Sequence, residues 1–145
     1  MAEYQENKES LQESLQLIVE LLDKHELVEN LVHKQEQDGP KQELVESIVH
    51  RQNIALLQKK LESLHPADVA YILEALPLEK RLYVWDLVKA DRDGEILLEV
   101  SDAVRQTLIA DMDSDELLAA AEQLDTDELA DLAPDLPKDV LQELL

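Results

Sequence analysis

The chain has 145 residues, with 34 Asp plus Glu against 13 Lys plus Arg, a net charge of −21, two Gly and neither Cys nor Phe. Such acidity repels phosphate backbones and anionic headgroups, which excludes nucleic acid and anionic membrane surfaces as partners, and the absence of Cys excludes disulfides, thiolate catalysis and Cys-ligated metal centres. No run of about 18 apolar residues exists to cross a bilayer, the polar start MAEYQENKES shows no signal peptide, and the richness in Leu, Glu and Ala predicts a soluble, all-α chain of one domain with an appended helical segment.

In SLQESLQLIVELLDKH the apolar residues Leu11, Leu15, Ile18, Val19 and Leu22 recur at helical spacing on one face. They predict a helix over 10–24, with Ser10 or Glu9 as its cap. A second, short helix is predicted from Glu26 to Gln35. Asp38-Gly39-Pro40 is the clearest breaker in the chain. A third helix runs from about Lys41 to Leu64, carried by Leu44, Ile48, Val49, Leu56, Leu57, Leu61 and Leu64. The segment HELVE (25–29) looks like the start of a zinc-protease helix, but Glu29 stands where the second His belongs, so the motif fails. His25, His33, His50 and His65 are read as surface or interhelical residues.

From residue 65 the sequence repeats every 12 residues: HPADVAYILEAL, PLEKRLYVWDLV, KADRDGEILLEV, SDAVRQTLIADM, DSDELLAAAEQL, DTDELADLAPDL and a partial PKDVLQELL. The twelfth position is apolar in each full unit (Leu76, Val88, Val100, Met112, Leu124, Leu136). The eighth (Ile72, Val84, Ile96, Leu108, Ala120, Leu132) and ninth (Leu73, Trp85, Leu97, Ile109, Ala121, Ala133) are apolar as well. Spacing of i, i+1, i+4 is helical. Pro66 suits a first helical turn, Pro77 and Pro137 end the preceding helices, and Asp113/Ser114 and Asp125/Thr126 are N-cap candidates. Each unit therefore reads as a helix of roughly ten residues and a turn of about two. A helix so short is unstable alone and must bury its stripe on its neighbours, which predicts a compact α-solenoid. The third unit is expected to be the weakest, because Gly94 and the ADRDG run dilute it, and Pro134 should shorten the sixth helix near Ala133. Trp85 belongs to a core column, and Tyr71 and Tyr83 share another that is read as half-buried.

Residues 1–64 carry a net charge of −6 and residues 65–145 a net charge of −15. The excess suits cations or basic protein surfaces; it also serves simply to keep a helical protein in solution. No Gly-rich phosphate loop and no nucleophile elbow occurs, and carboxylates are too abundant to single out an acid/base dyad, so the chain is not read as an enzyme.

LHPADVAYILEALP (64–77), with DTDELADLAPDLP (125–137) in the same register, resembles the cytoplasmic N-terminal domain of MgtE-type magnesium transporters and channels. The resemblance covers roughly residues 44–145. It implies a right-handed superhelix of short helices over 41–145, with 1–40 as an N-terminal helical extension. It further implies that the parent protein continues into CBS domains and a dimeric membrane pore, and that magnesium binds weakly between this domain and the CBS domains, favouring the closed state. Of the family's acidic helix, Asp127, Glu128 and Asp131 are the matching residues, with Asp127 and Asp131 as magnesium contacts. Glu95 in GEILL is a looser match for a further acidic contact, because Asp93-Gly94 precedes it where the family often has Ala. His65 and Pro66 are structural. The residues themselves are compatible with this: Asp127 and Asp131, at i and i+4, project from one helix face, and a hydrated magnesium ion needs only one or two carboxylates. The same pair is also what a solvated acidic face would show. A rival reading comes from the flagellar motor switch protein FliG, whose middle domain has a comparable His-Pro helix start and would make this chain an interaction scaffold with no cation role.

Overall fold

A computed structural model describes the backbone of residues 2–34 and 40–144 and the side chains of 10–27 and 48–144. Among the described residues the protein is all-α, with nine α-helices and no strand. It divides into two compact units, Met1–Ser63 and Leu64–Leu145.

The first unit is a pair of long helices, α1 (Ala2–Lys34) and α2 (Pro40–Glu62), packed on one another. The two helices predicted over 10–24 and 26–35 are one continuous helix. Nothing between Lys24 and Glu26 breaks a helix. Ile18, Leu21 and Leu22 of α1 meet Leu57 and Leu61 of α2 in the interior. Asn53 is buried with them and donates from Nδ2 to the Leu21 carbonyl at 2.9 Å, which satisfies an amide that would otherwise be costly there. The His25 and His50 rings stack with centroids 4.5 Å apart. Leu21 opposite Asn53 and His25 opposite His50 make the pair antiparallel. Neither Ser10 nor Glu9 caps a helix, because α1 starts at Ala2 and runs through both; the Asp38-Gly39 breaker and the Leu44 side chain lie outside the described residues, and Pro40 is the first residue of α2, where its missing N–H is harmless.

The second unit realises the repeat. Its helices are α3 (Pro66–Ala75), α4 (Leu78–Leu87), α5 (Asp93–Glu99), α6 (Asp102–Asp111), α7 (Ser114–Glu122), α8 (Thr126–Leu132) and α9 (Lys138–Leu144), one for each 12-residue unit. The connecting residues explain the period. Leu76, Val88, Val100, Met112 and Leu136 end their stretches in extended backbone, and the next residue is an N-cap, itself extended at Pro77, Lys89, Ser101 and Asp113. Two extended residues reverse the chain, so the helix and its joint together consume twelve. Leu76, Val100, Met112 and Leu136 of that joint are buried, and the six eighth-position residues from Ile72 to Leu132 are buried throughout. Helices pack on the second one along the chain: α3 on α5, α4 on α6, α5 on α7, and α7 on α9. Trp85 is in the core, whereas Tyr71 is exposed and Tyr83 half-buried.

Two units depart from a single straight helix. The third begins as a 3₁₀ turn over Ala90–Arg92 before α5, and the sixth ends as one over Ala133–Asp135, where Pro134 was expected to shorten it. Gly94 is more than a diluent of the third. A Cβ there would lie 2.6 Å from the Ala120 carbonyl of α7, so α5 and α7 approach this closely only because residue 94 has no side chain. Gln123 fastens the contact, accepting from the Gly94 N–H at 3.3 Å and donating to the Ala90 carbonyl at 2.7 Å.

Candidate functional site

The four acidic residues singled out from the sequence lie on two helices that pack together, α5 and α8. α8 starts with a capping box. Asp125 accepts from the Glu128 N–H at 2.8 Å, and Glu128 Oε1 accepts from the Asp125 N–H at 3.1 Å. That reciprocal pair fixes the start of a helix of only seven residues and uses one oxygen of the Glu128 carboxylate. Asp127 and Asp131 are exposed on the same helix, four residues apart and thus on one face. Glu95 is exposed on α5. Asp127 and Asp131 offer the one or two carboxylates that a hydrated magnesium ion takes from a protein. They do not make a cage: among the described residues, no group of three or more His, Asp or Glu is disposed to hold a metal. Any ion held here would need water or a second surface to complete its oxygen shell.

The family model for the MgtE intracellular N domain matches residues 64–145. The chain belongs to the MgtE intracellular N domain family. The matched residues coincide with the second compact unit and contain all four acidic candidates. The MgtE N domain is a transporter domain and the family is not one of enzymes. No curated protein matches the chain, and among the described residues no helix is long and apolar enough to cross a membrane.

Within this MgtE-type domain the fifth position of the repeat holds residues that the sequence reading passed over. It reads Val69, Arg81, Asp93, Arg105, Leu117, Leu129 and Leu141, a half-buried to buried column in which three members are charged. Both arginines are used in the same way. Arg81 donates from Nε to the Leu73 carbonyl at 2.8 Å, from one terminal nitrogen to the Leu76 carbonyl at 3.1 Å and from the other to Thr107 at 3.3 Å. Arg105, only 9% exposed, repeats the pattern one pair of units on, with its Nε 2.7 Å from the Leu97 carbonyl and a terminal nitrogen 3.1 Å from Asp135. Each guanidinium satisfies carbonyls at the end of the preceding helix, which have no intrahelical partner and sit at the negative end of its dipole. Each also ties that helix to the helix or turn beyond. Charged residues breaking an otherwise apolar column were the available signal.

Asp93, between the two arginines in the column, has no such arrangement. Burial, then the charges of Glu116 and Asp91, push its carboxyl up to about 7. Nearby, burial, followed by a hydrogen bond and repulsion from Asp111, pushes Asp86 up to about 6. Glu116 is raised as well, by desolvation first and then by Asp113.

Proposed function

We propose that this chain is the cytoplasmic regulatory part of a magnesium transporter or channel, and that it senses Mg2+ through acidic residues that dock it on CBS domains of the same protein. The observation that carries this reading is the family match over residues 64–145; the exposure of Asp127 and Asp131 on one face of α8 supports it. The mechanism is electrostatic. Residues 65–145 carry a net charge of −15, so an acidic partner is held off when the divalent ion is scarce. When Mg2+ is plentiful it takes Asp127 and Asp131 on one side and carboxylates of the partner on the other, keeping water at its remaining positions. Each bridging ion cancels repulsion and adds charge-assisted contacts, shifting the population toward the docked, closed form. Glu95 adds a second contact from α5, and Glu128, half-committed to the capping box, contributes least. The parent protein is a dimer in this scheme, and the chain itself enters no membrane.

The test is a protein joining this chain to its CBS domains, digested by protease across a magnesium titration. Protection should rise with Mg2+ in the wild type and shift to much higher Mg2+ in Asp127→Ala/Asp131→Ala. Protection independent of Mg2+ in the wild type would remove the sensing role and leave a helical scaffold.

A further inference from the structure

The antiparallel helix pair α1–α2 lies outside the family match over residues 64–145, and it leaves one flank unused. Leu17 and Leu21 of α1, with Leu56, Lys59, Lys60 and Ser63 of α2, line an open and mostly apolar groove of about 300 Å3. Leu17 is 42% exposed and Leu56 57%. Val49, two turns before Leu56 on the same side of α2, is exposed as well. Two helices alone bury one stripe each, and bundles cover such flanks with further helices.

The two rims of the groove carry opposite charges. Glu13 and Glu20, four residues before and three after Leu17, border it along α1; Lys59 and Lys60, three and four after Leu56, border it along α2. Among the described residues no ion pair uses Glu13, Lys59 or Lys60. A partner helix of a single charge is drawn to one rim and repelled by the other. A second copy, turned about an axis running along the pair, sets each rim on its opposite. The register follows from the pair itself, where Leu21 is level with Asn53 and His25 with His50. Continued toward the start of α1, it puts Leu17 level with Leu56 and Leu57, and Glu13 level with Lys60 and Leu61. A twofold along the axis preserves these levels, so Leu17 meets Leu56 of the second copy and Glu13 meets its Lys60, each contact occurring twice. Residues 1–64 also hold only −6 of the net charge of −21, so two copies repel least here.

We propose that the groove between α1 and α2 is a self-association surface, on which a second copy of this chain docks to complete a four-helix bundle. The patch is small, so the dimer is weak, with a Kd on the order of 100 μM; at about 1 μM the chain is a monomer.

The experiment is sedimentation equilibrium of the full 145-residue chain from about 1 μM to about 1 mM. The mass should climb from that of one chain toward that of two. Leu17→Glu should weaken association about tenfold or more, with its helix content by circular dichroism unchanged, because the side chain is already partly in water. Glu13→Lys and Lys60→Glu should each weaken it about fivefold, since the twofold repeats every pair, and Glu13→Lys/Lys60→Glu together should restore it. Leu78→Glu, at an exposed leucine of the other unit, should change nothing. A chain that stays single to the highest concentration, association that survives Leu17→Glu or depends on Leu78, growth beyond two chains, or no restoration by the paired charge reversal would each overturn the surface.

Discussion

The two units solve the problem of burying helices in opposite ways. In Met1–Ser63, two helices of 33 and 23 residues lean on each other, and Leu17, Leu27, Ile48, Val49 and Leu56 are left exposed. In Leu64–Leu145, helices of seven to ten residues are covered by neighbours on more than one side, and among the described large apolar side chains only Tyr71 and Leu78 remain exposed. A long helix gains stability along its own length and needs one partner face. A short one gains little by itself and requires a fixed register of contacts. Repetition therefore makes the second unit intolerant of change where the first is permissive. It also bears on Asp93: the fifth position of the repeat is half-buried to buried, and a charged residue there is drawn away from solvent.

That contrast is broken most directly by truncating one residue in each unit. Leu108→Ala, at a fully buried eighth position, should cost about 2–5 kcal/mol, whereas Leu56→Ala, 57% exposed, should cost less than about 0.5 kcal/mol. Urea unfolding followed by the single Trp, Trp85, and by circular dichroism reads both. Equal costs would erase the distinction. Next, Arg105→Ala should destabilise by about 3 kcal/mol, since it strands the Leu97 carbonyl and Asp135. Gly94→Ala should follow at about 2 kcal/mol, because the α5–α7 contact must open to admit the methyl. A fully folded Gly94→Ala protein with wild-type midpoint would show that this crossing is slack. The last effect is a slope. Asp93 is raised from 3.8 to about 7, so between those values the folded state binds more protons than the unfolded one, and stability falls as pH rises. The loss reaches at most about 1.4 kcal/mol per pH unit while Asp93 titrates. Asp86 acts in the same direction up to about 6. Asp93→Asn should flatten the slope, as read by Trp85 fluorescence melts at pH 5 and pH 7.

The repeat was the legible part of the fold. Apolar identities at positions 8, 9 and 12 are enough to place one helix per twelve residues, because helical period and joint length leave no other solution. The Asp125 capping box was legible for the same reason: an acid followed three residues later by Glu is a local pattern. Two things were hidden. The continuity of α1 past Lys24 is accompanied by the stacking of His25 on His50 of α2, a contact remote in sequence. The environment of Asp93 depends on its burial and on Glu116 of α7, and in a chain with 34 acids their spacing carries no mark. Asp127 and Asp131 were visible as an i, i+4 pair and do share an exposed face, but a helix face alone does not distinguish a ligand from a solvated acid.

The arginine bridges also limit how the array can be dissected. Arg105 reaches Asp135, thirty residues ahead, so any fragment trimmed before that residue strips a largely enclosed guanidinium of the nearer of its two carboxylates and leaves it only the exposed Asp102 at 3.5 Å. Shortened versions that retain the sixth module should fold as well-behaved proteins. Those cut a module earlier should show exchange-broadened spectra around Leu97 and Arg105 long before their helices melt.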